Sequence, residues 1–264
     1  MRIKRLSLCT VALLLLVATA GIAQSGKIKR AKQMMKDLSY RPAIALYTQV
    51  LEKEDNAEAK ISIAECYRKV NDWENAEYWY GQVVRLPQAE PIHKMYYGQA
   101  LQHNGKCDLA KEWYNQFAEA QKNDIRGQYL SQACDYENEL MTKSQALYTV
   151  KHATFNTSLD DWSPAIYKDK IVFASDRDQG AAVKREHSWT GAPFNDLYQV
   201  DAKKSGEAEM TKVAFGKATK FSRKLNSKYH DAAISFSKDG NTVFYTGNNK
   251  TGNDDEDHVL LKIY

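Results

Sequence analysis

The spacing of apolar residues divides the chain into two parts. Between residues 27 and 148, apolar side chains recur at intervals of three and four residues, which is the spacing of amphipathic helices. From Thr149 onward, Val, Ile, Phe and Tyr alternate with polar residues in short runs bounded by Asp, Gly, Asn and Ser, as in β-strands. The pattern therefore predicts a helical first half and a β-stranded second half.

The helical half repeats one motif. An Ala is followed four residues later by Tyr and seven residues later by Val or Phe, and this occurs at Ala43, Ala76 and Ala110, which are 33 and then 34 residues apart. The second and third copies also have a small residue 12 positions upstream, at Ala64 and Gly98. A fixed period of this length predicts stacked helix hairpins, in which the small residue lets two helices approach closely.

This motif resembles the tetratricopeptide repeat (TPR), and the resemblance implies a solenoid over residues 24–148. The first repeat departs most from the family pattern, because residues 27–38 lack the small-x-x-large pair. A solenoid must end in a polar outer surface, so a capping helix is expected after the last repeat. The implied boundaries are repeats near 27–55, 57–88 and 91–122, and a capping helix over 124–147.

Two stretches of the β half share one strand–turn–strand pattern, residues 161–177 and residues 230–249. Asp239-Gly240 in the second stretch predicts a tight hairpin turn, because Gly supplies the positive φ that such a turn requires. The further strands predicted beside them cover residues 196–200, 210–215 and 258–264.

Two pairs of segments resemble the WD40-like β-propeller repeat of the TolB type. They are Ser163–Tyr167 with Phe173–Arg177, and Ser235–Gly240 with Val243–Thr246. The resemblance implies a partial propeller of about two blades over residues 149–264. The predicted fold is thus α + β and multidomain, a TPR solenoid followed by an incomplete β-propeller. Since a propeller closes with about four or more blades, we expect these 264 residues to be a fragment rather than a truncated product.

Residues 1–23 have the pattern of a secretory signal peptide. A basic stub precedes an apolar run over residues 6–20, and Gly21 and Ala23 supply small residues before polar Gln24. The apolar run is shorter than the ~20 residues that span a membrane, which favours cleavage after Ala23 over an uncleaved anchor. No second such stretch follows, so we expect no transmembrane span in the mature chain.

The charge balance argues against nucleic acid as a partner. The chain has a formal net charge of +4, but residues 1–23 hold three basic residues and no acidic one, which leaves 34 basic and 33 acidic residues. Residues 24–150 carry 17 of each, and residues 151–264 carry 17 basic and 16 acidic residues. Neither part has the basic excess that nucleic-acid binding requires.

No sequence motif for catalysis, a cofactor or a metal is recognisable, and the six histidines are scattered without metal-ligand spacing. We therefore expect no enzyme, no cofactor and no metal site. The acidic run Asn253–Asp257 lacks the ligand spacing of a calcium loop, and it is expected to be a solvated loop. The basic stretch Lys217–Lys228 is interpreted in the same way, rather than as a contact for acidic glycans or lipid headgroups. The helix-spaced Trp73, Trp79 and Trp113 are expected in the core rather than in a ligand site.

Three cysteines remain after cleavage, Cys66, Cys107 and Cys134. In the repeat register, Cys107 begins a second helix and Cys134 lies on the next helix, which should pack nearby. An oxidising periplasm would allow a Cys107–Cys134 disulfide. Buried free thiols are the alternative.

A signal peptide, TPRs and a TolB-like propeller, in that order, resemble the OmpA-family envelope proteins of the Bacteroidota, some of them tied to gliding and type IX secretion. The resemblance implies a non-enzymatic scaffold of the periplasm and outer membrane, which contacts other envelope proteins through the concave TPR face and the propeller face. Peptidoglycan would be a partner only if a C-terminal OmpA-like domain followed residue 264. The alternatives are a glycan-binding, ligand-binding or enzymatic propeller completed by further sequence, and a non-functional truncated product.

Overall fold

The computed structural model describes residues 24–145, 147, 150–177, 185–204, 213–249 and 260–264. The chain divides into two compact units. The helical unit comprises Met1–Tyr148 together with Ser188–Thr190, and the β unit comprises Thr149–His187 and Gly191–Tyr264. Within the described ranges, no helix combines the length and the apolar character needed to cross a membrane. The predicted signal peptide lies outside the described residues.

The helical unit is a row of helices, each packed on the next along the chain. The prediction of successive helix hairpins is confirmed, although the last helix is two residues shorter at each end than the predicted 124–147. The helices are α1 (residues 24–36), α2 (Tyr40–Leu51), α3 (Ala57–Lys69), α4 (Trp73–Val83), α5 (Pro91–His103), α6 (Cys107–Ala120) and α7 (Arg126–Gln145).

Local side-chain chemistry sets the helix starts. The side chains of Asn56 and Asp72 accept hydrogen bonds from the third backbone N–H of α3 and α4, which satisfies donors left unpaired at a helix N-terminus. Pro91 is the first residue of α5. The N–H that proline lacks would have no partner within the helix at this position, so proline does not weaken the helix there. Asn71 and Gly105 reverse the chain between paired helices with φ of 58° and 74°, as the turns in the repeat require.

The helices cross most closely at the small residues of the repeat. Ala43, Ala76 and Ala110 have no exposed surface, and the tyrosines four residues after each of them are buried. At Gly98 on α5, a Cβ atom would lie 2.6 Å from Cε1 of Tyr114 on α6. At Gly98 the predicted role of a small residue is confirmed, because an added side chain would overlap the Tyr114 ring and push the helix pair apart.

A polar contact also joins neighbouring hairpins. Asn104, in the turn after α5, donates to the Trp73 carbonyl at 3.0 Å and to Glu77 Oε2 at 2.8 Å. Lys106 donates to the other Glu77 oxygen at 2.6 Å. Burial opposes the charged form, but these hydrogen bonds lower the pKa of the Glu77 carboxyl below its ordinary value. Trp73 stacks on His103 with ring centroids 3.9 Å apart, so it packs within the solenoid.

The β unit contains two antiparallel sheets in its described residues. The first has the order β1-β2-β3-β4 with β5 beside β3, and the second has the order β6-β7-β8. The strands are β1 (Asp161–Tyr167), β2 (Lys170–Ser175), β3 (Asp196–Lys204), β4 (Val213–Phe215), β5 (Thr219–Lys220), β6 (Asp231–Phe236), β7 (Val243–Asn248) and β8 (Leu261–Ile263).

Three details of the strand predictions need correction. The third strand continues to Lys204 rather than ending at Val200, because β4 extends its ladder beyond β2. The short strand β5 was not predicted, since two exposed polar residues give no alternation to recognise. The last strand covers Leu261–Ile263, whereas most of the predicted 258–264 segment before it lies outside the described residues.

The two sheets repeat each other in register. Ala165 opposes Val172 in the first sheet as Ser235 opposes Phe244 in the second. A bulge interrupts β1 and β6 at the same place, where Ser163 and Ala233 have φ of 52° and 47°. A bulge with this geometry bends the strand and increases its twist. The repeat inferred from the sequence is therefore confirmed in backbone geometry.

The first residues of β1 and β6, Asp161 and Asp231, form hydrogen bonds with the loops that precede these strands. The Asp161 carboxylate accepts a hydrogen bond from the backbone N–H of Thr157 at 2.7 Å, and the Asp231 carboxylate accepts one from the backbone N–H of Ser227. Asp161 also forms a buried ion pair with Arg177. Burial opposes the charged form, but the hydrogen bonds from Arg177 and Thr157 lower the pKa of the Asp161 carboxyl.

The two sheets pack face to face around a shared apolar core. Val172 and Leu197 from the first sheet meet Ile234 and Tyr245 from the second. At the edge of this core, Tyr167 stacks on Phe236 with ring centroids 4.4 Å apart. The two sheets do not close into a ring within the part of the β unit that the structure describes, so the propeller remains a prediction.

Replacing Gly98 by Ala is expected to lower the free energy of unfolding by about 1–2 kcal/mol, because the added Cβ meets the ring of buried Tyr114. Gly26 on α1 is the matched control, since a Cβ there has no heavy atom within 4 Å. Gly26→Ala should leave stability unchanged or raise it slightly through helix propensity. Urea unfolding followed by circular dichroism measures both. A Gly98→Ala protein at least as stable as wild type would contradict the close crossing.

Candidate interaction surface

Alternate helices of the solenoid lie side by side. Lys32 on α1 pairs with Glu58 on α3, and Arg68 on α3 stacks on Tyr96 of α5. The next contact, from Gln102 on α5 to Glu137 on α7, is a 3.3 Å hydrogen bond. We name this layer the alternate-helix face, and we define it by those six residues: Lys32, Glu58, Arg68, Tyr96, Gln102 and Glu137.

Arg68 is the centre of the alternate-helix face. Its guanidinium carbon lies 4.0 Å from the centroid of the Tyr96 ring, and its Nε donates to the Tyr80 hydroxyl at 3.4 Å. Arg68 and Tyr96 are both half-buried. A guanidinium held over an aromatic ring is oriented by a cation–π contact of about 0.5–2 kcal/mol, so this pair presents a preorganised polar and aromatic patch.

The groups beneath this patch are structural. Burial raises the pKa of the Tyr80 hydroxyl, which therefore stays protonated at neutral pH. Burial also lowers the pKa of His93, and its neutral Nδ1 accepts the backbone N–H of Glu90 at 2.9 Å to close the first turn of α5. Proton-transfer chemistry is not indicated here, because neither group changes charge near neutral pH.

The charges on the alternate-helix face are mixed. Lys32 and Arg68 are basic, Glu58 and Glu137 are acidic, and Gln102 and Tyr96 can hydrogen-bond without a charge. Such a surface suits a protein or peptide of mixed polarity better than a polyanion, which requires a basic excess.

The structure brings Cys107 and Cys134 together. Their Sγ atoms lie 2.06 Å apart at bonding distance, which links the start of α6 to the middle of α7 across a separation of 27 residues. Cys66 is buried and free, and burial raises the pKa of its thiol to about 12. At neutral pH Cys66 is therefore an unreactive thiol.

The remaining sequence candidates do not form a site in the described residues. No group of three or more His, Cys, Asp or Glu side chains there could hold a metal ion. The acidic run Asn253–Asp257 lies outside the described ranges. In the basic stretch, Lys220 pairs with Asp196 at 2.7 Å and Lys228 lies over the Tyr229 ring, while Lys217, Arg223 and Lys224 are exposed.

Two histidines of the β unit meet, although 43 positions of sequence separate them. The rings of His187 and His230 lie edge to face with centroids 4.7 Å apart, and Phe194 packs beside both. The backbone N–H of Asn195 donates to His230 Nδ1 at 3.2 Å. The pKa of His230 is lowered to about 4, mainly by burial of the ring and to a smaller extent by the neighbouring His187.

Sequence reasoning missed the most specific contacts of this molecule. The Arg68–Tyr96 stack, the His187–His230 pair and the placement of Ser188–Thr190 in the helical unit all join residues distant along the chain. In that unit the Trp189 Nε1 donates to the Lys69 carbonyl at 2.9 Å. Only Arg68 could have indicated the stack in the sequence, because a charged residue there directly follows the small-x-x-large pair of the second repeat.

No protein-family model and no curated protein matches this chain. Among solved structures, it is similar to the UNC-45 chaperone, which binds and folds muscle myosin, with 18% identity and a TM-score of 0.41 over 47% of this chain and 14% of that chain.

Two further similar structures contain TPRs. One is the C-terminal TPR-containing domain of a Plasmodium falciparum FK506-binding protein, with 17% identity and a TM-score of 0.40 over 46% of this chain and 91% of that domain. The other is the first TPR of Spaghetti (RPAP3) bound to the HSP90 peptide SRMEEVD, with 22% identity and a TM-score of 0.36 over 48% of this chain and 94% of that chain.

We expect the Cys107–Cys134 disulfide to form in an oxidising compartment. Intact-mass measurement under non-reducing conditions should find the chain lighter by two hydrogens than after reduction. Because the bond closes a separation of 27 residues, reduction should lower the free energy of unfolding by about 3–4 kcal/mol. The double variant Cys107→Ala, Cys134→Ala is the control, since reductant should not destabilise it further. An unlinked pair in the oxidised protein would contradict the bond.

Stability should fall as the pH drops from about 6.5 to about 4, because unfolded His230 binds a proton that the folded ring resists. His230→Asn keeps a hydrogen-bond acceptor but cannot titrate, so it should lose about 2–3 kcal/mol less than wild type over this window. His152→Asn, at an exposed histidine, should follow the wild-type profile. Free energies of unfolding measured against pH test this, and parallel profiles for wild type and His230→Asn would contradict it.

Proposed function

We propose that this chain is a non-enzymatic protein-interaction scaffold that binds its partners through the alternate-helix face. The observation that carries the proposal is the Arg68–Tyr96 stack, in which a partly buried guanidinium on α3 lies over an aromatic ring on α5. Arginine and tyrosine are the residue types that dominate the energy of protein interfaces.

Three features support binding rather than catalysis. The titratable groups near the stack, Tyr80 and His93, have pKa values displaced away from neutrality. Stacked helix repeats present an extended surface whose parts are fixed by neighbour contacts. The contacts between hairpins, such as Asn104 with Glu77, hold that surface in one shape, which lowers the entropy cost of binding.

We further propose a location and a wider architecture. The pattern of residues 1–23 supports export to the periplasm, and association with the outer membrane is what the sequence resemblance to OmpA-family proteins implies. The matched registers of the two sheets support a TolB-like propeller in the β unit. Together with the sequence resemblance, these features support an OmpA-family envelope scaffold of the Bacteroidota, with type IX secretion or gliding as the assemblies to examine.

Charge reversal on the alternate-helix face tests the proposal. The tagged protein and a Lys32→Glu, Arg68→Glu variant would each be used to capture partners from detergent-solubilised envelopes, with quantitative mass spectrometry as the readout. Wild type should retain defined proteins that the variant recovers at least about tenfold less well. The control is Arg85→Glu, since Arg85 is exposed in the segment after α4 and should bind like wild type.

Folding of both variants would be verified by circular dichroism before capture. Recovery of no protein above background by wild type would contradict the scaffold function. Equal recovery by wild type and the double variant would contradict the assignment of the alternate-helix face.

A further inference from the structure

An aromatic cluster lies at the end of the β unit where β1, β3 and β6 begin. The backbone N–H of Asp231 donates to the Asn195 carbonyl at 2.8 Å, which joins the start of β6 to the residue before β3. Trp162 opposes Ala174 on β2, so it lies on the side of the first sheet that carries Val172 into the shared core. The cluster is therefore formed between the two sheets, at the end of their shared core, and not on the outer side of either sheet.

The exposed rings of this cluster are held in fixed orientations. Trp162 is 44% exposed, and its indole Nε1 donates to Asn195 Oδ1 at 3.3 Å. Tyr229 is 37% exposed and lies edge to face with Phe194, with ring centroids 5.7 Å apart. Phe194 in turn packs edge to face with His230 at 4.8 Å. Such ring pairs are favoured beyond the area that they bury, so both exposed rings have a defined position.

The repeat shared by the two sheets does not require these rings. Trp162 corresponds to Ala232, because each is the second residue of its strand and holds the same place before the bulge. Tyr229 corresponds to Leu159, because each lies two residues before the aspartate that begins its strand. A backbone that accepts alanine and leucine at these positions does not need two larger aromatic rings to fold. Exposed aromatic rings grouped in this way indicate a binding surface.

A basic loop leads into the cluster. Residues 216–230 contain five basic residues and no acidic one. The loop is tied to the start of β3, because the side-chain amide of Asn226 accepts from the Leu197 N–H at 3.0 Å and donates to the Leu197 carbonyl at 3.1 Å. Arg223 and Lys224, just before this tie, are exposed. The loop therefore presents its cations beside the aromatic cluster.

Lys228 brings a positive charge into the cluster itself. Its Nζ lies 4.9 Å from the centroid of the Tyr229 ring, and its side chain is exposed. Burial lowers the pKa of both His187 and His230, so these rings are neutral near pH 7 and the charge belongs to the lysine and the loop. The composition of Lys217–Lys228 alone indicates only a solvated loop, and the aromatic cluster at its end is the added observation.

We propose that this cluster binds an acidic oligosaccharide, with sugar rings on Trp162 and Tyr229 and a uronate carboxylate on Lys228. The C–H side of a sugar ring is apolar and flat enough to stack on an exposed aromatic ring, while its hydroxyl groups stay in water. A carboxylate forms a charge-assisted hydrogen bond with a lysine ammonium group. This inference does not rest on the proposed function of the alternate-helix face.

The charge of the β unit favours a ligand with few negative charges. Residues 151–264 carry 17 basic and 16 acidic residues, whereas a nucleic acid is bound through a long series of phosphate contacts. A short saccharide with one carboxylate on a ring needs only the cations that lie beside the exposed rings.

NMR titration of the full chain with uronate tetrasaccharides tests the proposal. The panel contains oligomers of galacturonate, of mannuronate, and of glucuronate alternating with N-acetylglucosamine, each beside its uncharged methyl ester. Wild type should bind at least one acidic tetrasaccharide, and at least about tenfold more tightly than the corresponding ester. Added salt should weaken binding of the acidic form and leave binding of the ester unchanged.

Two variants separate ring stacking from charge. Trp162→Ala should weaken binding of the acid and of the ester at least about tenfold, whereas Lys228→Ala should abolish only the preference for the acid. Lys168→Ala is the matched control, because Lys168 lies 5.1 Å from the Tyr167 ring just after β1, away from the cluster. Ile166→Ala, at a residue 81% exposed on β1, is the second control. Both controls should bind like wild type, and thermal melts would verify the folding of all four variants.

Three outcomes would overturn the proposal. Wild type could bind no tetrasaccharide of the panel at millimolar concentrations, it could bind acid and ester equally, or Trp162→Ala could bind like wild type. Vesicles of phosphatidylglycerol and a single-stranded oligothymidylate are tested in parallel. Binding of either by wild type but not by Trp162→Ala, without binding of any saccharide, would instead assign the cluster to a lipid headgroup or a nucleic acid.

Discussion

The close crossing of paired helices is the contact on which the helical unit depends. Ala76 and Ala110 are fully buried, as are the tyrosines four residues after them, and at Gly98 a Cβ atom would lie 2.6 Å from the ring of Tyr114. Repetition of this crossing every 33 or 34 residues places alternate helices next to each other. Arg68 of one repeat can then stack on Tyr96 of the next, so the interaction surface is a consequence of the core packing.

The β unit uses repetition in a different way. Each sheet begins with an aspartate that braces the preceding loop, and each has the same bulge in its first strand. The repeat also builds the core of this unit, because Val172 and Leu197 of the first sheet meet Ile234 and Tyr245 of the second.

The parts of the fold that follow from local pattern could be predicted from the sequence. The helix repeat was recognisable because small and aromatic residues recur at a fixed period, and the turn at Gly240 was recognisable because its positive φ of 70° favours glycine. The short strand β5 was missed because its formation depends on pairing with β3 rather than on its own two residues.

The site was far less predictable than the fold. The Arg68–Tyr96 stack and the His187–His230 pair depend on the distance between side chains remote in sequence, and periodicity alone does not give such distances. The cysteines were an intermediate case. The repeat register placed Cys107 and Cys134 on neighbouring helices, but it could not distinguish a bond from two buried thiols. The bonding distance between the two Sγ atoms is a property of the folded structure.

The central claim is that the alternate-helix face binds protein partners. Site-specific photocrosslinking in the source cells tests it most directly, with a photoreactive phenylalanine in place of Tyr96 and, in a matched chain, in place of Tyr78, which is 62% exposed on α4. The account predicts discrete crosslinked protein species from position 96 and none from position 78. Equal crosslinking from both positions, or none from position 96, would contradict it.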